Sequence, residues 1–274
     1  MTEYDGRRDG PVPILMYHAV TDTPARATRG LSVTPAAFAE QMALLEDRGF
    51  TPLGTSALAS AWREGRPLPR RPVLITFDDG YEGVHRHALP VLKGLGFAST
   101  LFVSTGWLRG AYELPGAALD TMLDWDQVRE LRDAGTEIGG HSHSHPQLDQ
   151  LGDKRLWFEL LRCKEILHDE LGAAPSSFAY PYGYSTRRVR QAVRTAGFGA
   201  ALAVGNALAD PRRQSPYALA RVTVRRSTGT EEFERLVEGR AVARNFAVDR
   251  VLTQGYSLVR RARRGVRKVR ESGV

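Results

Sequence analysis

Short apolar runs alternate with amphipathic stretches along most of this 274-residue chain, and that alternation leaves few folds open. "VPILMYH" (12–18), "VLITF" (73–77), "ASTLFV" (98–103), "TEIGGH" (136–141), "SFAYP" (177–181), "GAALAV" (199–204) and "ARVTV" (220–224) read as strands. Most are near-continuously apolar, as strands covered on both faces are. Between the first two lies "TPAAFAEQMALLEDRGF", a helix with Thr34 at the N-cap, Pro35 at the first helical position and Gly49 as its stop; Phe38, Met42 and Leu45 share one face. Further helices are expected at 56–65, 83–95, from Asp124 onward, and at 153–171, 185–196 and 230–239. Repeated strand and helix units imply parallel strands, because a parallel neighbour is reached only by a crossover. The expected class is therefore α/β, with about seven parallel strands in a closed or nearly closed (β/α) barrel. An open doubly wound sheet is the other arrangement, but no Gly-rich phosphate loop follows the first strand.

A chain of this length with 42% hydrophobic residues can bury a large core, and no internal repeat divides it. One domain is expected over 12–240, with an N-terminal extension at 1–11 and a basic tail at 241–274. The single cysteine, Cys163, excludes an internal disulfide and lies in a helical pattern, where it reads as a packed thiol. The net charge of +7 points to an anionic partner until its location is considered. Residues 256–274 hold seven Lys or Arg against the single acid Glu271, a surplus of +6. The body is close to neutral, so no nucleic-acid partner is expected. The tail is suited to peripheral contact with anionic lipid headgroups, with a solvated terminal segment as the plainer alternative. "MTEYDGRRDGPVP" lacks the apolar core of a signal peptide, and no window approaches 18 uninterrupted apolar residues. The expected location is cytoplasmic, peripheral to the inner membrane face.

In β/α barrels the reactive groups sit at the C-terminal ends of the strands. Three polar stretches fall there: Tyr17-His18, "DDG" at 78–80, and "HSHSH" at 141–145. Asp78 and Asp79 place two like charges side by side, either to cap the following helix or to converge on one site. Three of the seven histidines fall within five positions, and His141 and His145 are spaced to share one ion, with His143 directed elsewhere. A catalytic zinc commonly takes three protein ligands, and two imidazoles with one carboxylate form a known set. Either Asp78 or Asp79 would complete it, leaving its neighbour free to take a proton from a metal-bound water.

"TFDDG" (76–80), "HSHSHPQL" (141–148) and "FAYPYG" (178–183), in this order, resemble the polysaccharide deacetylase family, the NodB homology domain of carbohydrate esterase family 4, over roughly residues 12–225. The opening "PILMYHAV" resembles the subgroup acting on poly-N-acetylglucosamine. The resemblance implies a distorted, incomplete barrel and metal-dependent hydrolysis of N-acetyl groups on an amino-sugar substrate, with Zn2+ as the expected ion and Co2+, Ni2+ or Mn2+ as alternatives. It assigns Asp78 as general base, Asp79, His141 and His145 as metal ligands, and the Tyr182 amide, beside Pro181, as an oxyanion donor. Ser142 is expected to steady the histidine loop. Two departures stand out. The family's third motif commonly begins with an Arg that orients the base, but the position here is Ala179, and Arg221 is the candidate substitute. The late Leu-x-His motif is absent, since no histidine follows His168, so His18 is the candidate general acid. His85 and His87 read as surface residues, His168 as structural, and Trp107 and Trp125 as packing. These departures favour, as an alternative, a catalytically impaired metal- and carbohydrate-binding homologue; a same-fold hydrolase of another C–N amide is a second alternative.

Overall fold

The computed structural model describes residues 10–110, 112–114, 118–240 and 242. The expected extension therefore lies mostly, and the basic tail apart from Val242 wholly, outside the described residues. Among those described, no helix is long and apolar enough to cross a membrane.

The elements follow one another as β1 (Ile14–Tyr17), α1 (Pro35–Asp47), β2 (Thr51–Leu53), α2 (Thr55–Glu64), β3 (Pro72–Phe77), α3 (Leu89–Leu95), β4 (Ser99–Val103), α4 (Trp125–Asp133), β5 (Thr136–Gly140), α5 (Asp153–Leu171), β6 (Ser177–Ala179), α6 (Arg187–Thr195), β7 (Ala200–Leu202), β8 (Val222–Thr223) and α7 (Thr230–Val237). The starts of α1 and α4 are set by local chemistry. Thr34 accepts from the Ala37 amide with Pro35 in the first turn, and Asp124 forms a reciprocal capping box with Gln127. The helix expected over 83–95 splits into a π turn, Val84–Ala88, running into α3, and the change of winding falls where Pro90 removes an amide donor.

All strand pairs are parallel, in the order β7-β6-β5-β4-β3-β1-β8. β2, absent from the sequence reading, pairs with the first half of β3 on the edge that β4 takes further along. Among the described residues, the two ends of the sheet are joined by a parallel bridge between Leu202 and Leu219 and not by a ladder between β7 and β8. The result is a curled, incomplete barrel rather than a closed one.

Side-chain parity explains both layers of the core. Leu15, Tyr17, Val73, Ile75, Phe77, Leu101 and Val103 face the helices and pack with Phe38, Met42 and Leu45 of α1. The alternate residues Ile14, Leu74, Phe102, Ala179 and Leu202 fill the barrel interior. Gly139 belongs to that interior set, and a Cβ there would lie 2.5 Å from the Phe102 ring. Tyr17, Phe38 and Phe77 form a mutual aromatic triple with centroids 5.4, 5.6 and 5.7 Å apart, worth about 0.5–1.5 kcal/mol per pair beyond area burial. The Tyr17 hydroxyl, in addition, donates to Gln41 Oε1 at 2.7 Å. This triple anchors the strand ends from which the next residues, His18 and Asp78, emerge.

Candidate active site and metal centre

The C-terminal ends of four neighbouring strands set the site at one rim. Tyr17 is paired with Phe77 and Val103 with Gly140, so His18, Asp78, Ser104 and His141 are the next residues off four neighbouring strands. Because Phe77 pairs with Leu101, Ser104 and His141 stand two residues further along their strands than Asp78 does on its own. The Asp78 amide donates to the Tyr17 carbonyl at 3.0 Å, and the His141 amide to Val103 at 2.9 Å. Asp78 continues the inward parity of Leu74 and Thr76. Asp79 would then face outward, but its backbone adopts φ 76°, a left-handed excursion that turns its carboxylate back toward the same centre. Gly80 continues that turn at φ 101°, where a Cβ would meet Leu108 at 2.9 Å. The doubled aspartate thus converges through backbone geometry rather than through helix capping.

Asp79 Oδ1 lies 3.3 Å from His141 Nε2 and 3.2 Å from His145 Nε2, and one ligand atom from each of the three residues falls within 4.8 Å of the others. His141 Nδ1 donates to the Ala179 carbonyl at 2.7 Å, so the neutral ring presents a lone pair at Nε2. That lone pair faces a buried carboxylate oxygen which itself has no hydrogen-bond partner. Converging acceptors of this kind need a cation among them, and the Asp79, His141, His145 set fits a divalent metal. Burial pushes the Asp79 carboxyl up, while the neighbouring imidazoles, when they carry a proton, hold it well below the usual carboxylate range. Tyr81 hydrogen-bonds the same carboxylate, and burial together with that charge raises its phenol.

The histidine loop is held from beneath by a residue that the sequence reading missed. Glu159 of α5 is fully buried; its Oε2 accepts from the amides of His143 at 3.1 Å and Ser144 at 2.7 Å, and its Oε1 from the Ser144 hydroxyl at 2.6 Å. The Ser142 hydroxyl accepts from the His145 amide at 3.0 Å. His143 turns away, with Nδ1 3.0 Å from Thr105 Oγ1 and its ring against Phe158. Glu159 carries no local sequence signal beyond being an acid in an apolar helical stripe.

Asp78 is gripped by Arg221, which is fully buried immediately before β8. Its two terminal nitrogens donate to the two carboxylate oxygens at 2.6 and 2.7 Å, with further bonds to Thr76 Oγ1 and the Ala203 carbonyl. Burial pushes the Asp78 carboxyl up, but Arg221 and then His141 hold it below its ordinary value. β6 contributes only the Ala179 methyl at this level, so the guanidinium enters from β8 instead. His18 is half-buried with Nδ1 unpartnered; burial lowers its pKa, and Asp79 and Asp78 oppose that shift. Pro181 is buried in the turn after β6, and Tyr182, 52% exposed at φ 60°, puts its ring centroid 4.8 Å from His145. Trp107 packs on His145 at 4.5 Å, and Trp125 belongs to the core. His18, Asp78, Asp79, His141, His145 and Tyr182 line one cavity of about 320 Å³, which Thr28, Leu31, Asn206 and Arg225 line as well. Arg221 lies behind this lining, and His85 and His87 lie away from it.

Fold and site together define a metal-binding α/β half-barrel with an arginine-clamped carboxylate beside the ion's ligands. A family model described as polysaccharide deacetylase matches residues 65–201, half of the chain, and the chain belongs to that family. It is 23% identical over 253 residues to the poly-beta-1,6-N-acetyl-D-glucosamine N-deacetylase of Escherichia coli (strain K12), covering 80% of this chain but only 37% of that relative. It is 27% identical over 122 residues to the peptidoglycan-N-acetylglucosamine deacetylase PgdA of Listeria monocytogenes, covering 44% of this chain and 23% of that one. Among solved structures, the deacetylase PplD of Streptococcus pyogenes in complex with acetate superposes with a TM-score of 0.74 at 23% identity, over 84% of this chain and 99% of that one. IcaB from Ammonifex degensii superposes at 0.67 and 25% identity, over 84% and 96%. These likenesses carry the fold; the chemistry rests on the residues themselves.

Proposed function

We propose that the chain is a metal-dependent N-deacetylase that hydrolyses the acetamide of an N-acetylated amino sugar in a glycan, releasing acetate and a free amine. The observation that carries this reading is the Asp78–Arg221 fork standing next to the Asp79, His141 and His145 triad. The names of the E. coli and Listeria relatives point to N-acetylglucosamine polymers. Two imidazoles and one carboxylate suit Zn2+, with Co2+, Ni2+ or Mn2+ as substitutes.

A divalent ion held there supplies a water of lowered pKa and polarises the acetyl carbonyl. Asp78, kept ionised by Arg221, takes one proton from the attacking water as its oxygen bonds the acetyl carbon. The Tyr182 amide donates to the developing oxyanion. His18 gives a proton to the sugar nitrogen as the C–N bond breaks, so the amine departs with acetic acid, which ionises to acetate by losing the water's second proton to solvent. Asp78 then loses its proton, and His18 regains one from solvent. The case for an impaired homologue drew partly on the missing arginine of the third motif, and Arg221 supplies an equivalent clamp from another strand.

Acetate release from short N-acetylglucosamine oligomers, with and without a chelator, tests the reading. Activity is expected to vanish on chelation and return with zinc or cobalt. Asp78→Asn is expected to bind metal and not turn over; turnover in that variant would remove Asp78 from the role of base.

A further inference from the structure

The two imidazoles beside Asp79 are held differently. His141 is fixed at both ring nitrogens, with Nδ1 donating to the Ala179 carbonyl at 2.7 Å and Nε2 3.3 Å from Asp79 Oδ1. His145 is fixed at one. Its Nε2 lies 3.2 Å from the same oxygen, but its Nδ1 is buried and meets no hydrogen-bond partner among the described residues. A ring that ligates through Nε2 carries its proton on Nδ1, and a ligating histidine ordinarily donates that proton to an acceptor that sets the ring's orientation. Where that acceptor is missing, rotation about the Cβ–Cγ bond is limited by what the ring touches, because this torsion has broad minima. Two aromatic side chains from separate loops touch it, Trp107 at 4.5 Å and Tyr182 at 4.8 Å between ring centroids. Trp107 is 6% exposed and follows β4 on a segment knitted to the histidine loop: the Thr105 amide donates to the Ser142 carbonyl at 3.3 Å and the Gly106 amide to the His143 carbonyl at 2.8 Å. Gly106 permits that approach, since a Cβ there would lie 2.8 Å from the His143 carbonyl oxygen. Trp107 also packs with Ala19, Tyr81 and Met122. Tyr182 arrives from the turn after β6, its ring stacked on Tyr184 at 6.0 Å.

We propose that the Trp107 and Tyr182 side chains are positioning residues for the metal, holding the His145 ring in its ligating orientation by contact in place of the hydrogen bond that His141 has. The proposal rests on Asp79, His141 and His145 being the metal ligands. It gives the Tyr182 ring a task separate from that of its main-chain amide at the oxyanion. Contact of this kind depends on the shape of the neighbouring ring and not on its polar atom. An aromatic replacement therefore preserves it, whereas an aliphatic one leaves the imidazole room to turn. One aromatic pair changes an equilibrium constant by about two- to tenfold, and loss of the partners that orient a ligating histidine by about 10- to 100-fold.

The test titrates cobalt into the full, metal-free chain and reads the dissociation constant and the visible absorption of the bound ion, with the Tm of the metal-free protein alongside. Tyr182→Leu and Trp107→Leu should each weaken cobalt binding about two- to tenfold, and the pair about 10- to 100-fold, with a changed visible spectrum because His145 is no longer held against the ion. Tyr182→Phe and Trp107→Phe should retain most of the affinity and the wild-type spectrum, and Trp125→Phe, in the core, should leave both unchanged. Leucine variants that lower Tm but keep wild-type cobalt affinity and spectrum overturn the proposal and leave the two rings as packing; so do phenylalanine variants that lose as much as the leucine ones. If Trp107→Leu does not fold, Tyr182→Leu decides alone, since that side chain is 52% exposed. The readout is independent of acetate release. A chain that binds cobalt and shows these changes but hydrolyses no acetamide keeps the positioning role and loses the deacetylase reading, whereas a wild-type chain that binds no cobalt loses the ligand set and this proposal with it.

Discussion

Replacing Arg221 with Ala should affect stability and turnover for one reason, the stranding of Asp78. Asp78 is 2% exposed and receives two charge-assisted bonds at 2.6 and 2.7 Å. Removing one partner of a buried pair costs about 3–5 kcal/mol, because the remaining charge stays desolvated. At about 2–4 °C per kcal/mol for a domain of this size, the expected fall in Tm is about 6–20 °C. In the native protein the carboxyl sits below its unfolded value, so the pair's contribution is present above about pH 4 and is lost as pH falls through the native pKa. Without the guanidinium, burial governs and raises that pKa, so the variant loses stability as pH rises through the new value. The gap between the two proteins should therefore be small in acid and widen toward neutrality. Turnover should follow the same shift. Each unit by which the base's pKa exceeds the assay pH costs about tenfold, and a loss of about 10²-fold in kcat/KM at neutral pH is expected, with the acid limb of the profile displaced upward. Arg221→Lys keeps a charge but not the fork, and should fall between. Denaturation and kcat/KM measured across pH, with metal content determined in parallel, provide the assay. An Ala variant with an unmoved acid limb and wild-type kcat/KM would refute the argument even if its Tm dropped.

Glu159→Leu should strand the His143 and Ser144 amides at about 1–3 kcal/mol each and weaken cobalt binding about 10- to 100-fold, whereas Glu159→Gln retains an acceptor and should recover most of both losses; equal metal affinity in the Leu variant would leave Glu159 a packing residue. His18→Gln should lower kcat by about 10²- to 10⁴-fold and flatten the alkaline limb of the pH profile, since the protonated ring is the donor and activity falls as pH rises through a pKa that burial holds down; an unchanged alkaline limb would place the general acid elsewhere. Gly139→Ala should cost about 1–3 kcal/mol in chemical denaturation, because the added methyl meets the Phe102 ring at 2.5 Å inside the barrel, and a neutral result would mean that the interior is looser than its contacts indicate.

Parallel α/β organisation was legible because periodicity and near-continuous apolar runs depend on short windows of sequence. β2 escaped because three residues, "TPL", half-buried and joined to β3 along only part of its length, produce no alternation to detect. The metal-ligating set could be read from residue types and spacing, but its geometry could not. Among the described residues, six non-glycine residues have positive φ, and Asp79, Ser142, His145 and Tyr182 belong to the site while Asn206 lines its cavity. Each such excursion costs on the order of 1 kcal/mol and runs against local preference, so window-based reading assigns it nowhere. What fixes these angles is long-range contact: Glu159 under the histidine loop, the Val103–Gly140 register and the Ala179 carbonyl on His141. The Arg221–Asp78 fork spans 143 positions, and the position where the resemblance leads one to expect an orienting arginine holds Ala179. Inward parity puts both β6 and β8 on the barrel axis, and a guanidinium needs only to arrive at that axis to orient Asp78. The requirement on this chain is thus a positive charge at one point in space, and several strand positions can satisfy it, which is why a motif reading confined to one strand registers a loss where the barrel registers a substitution.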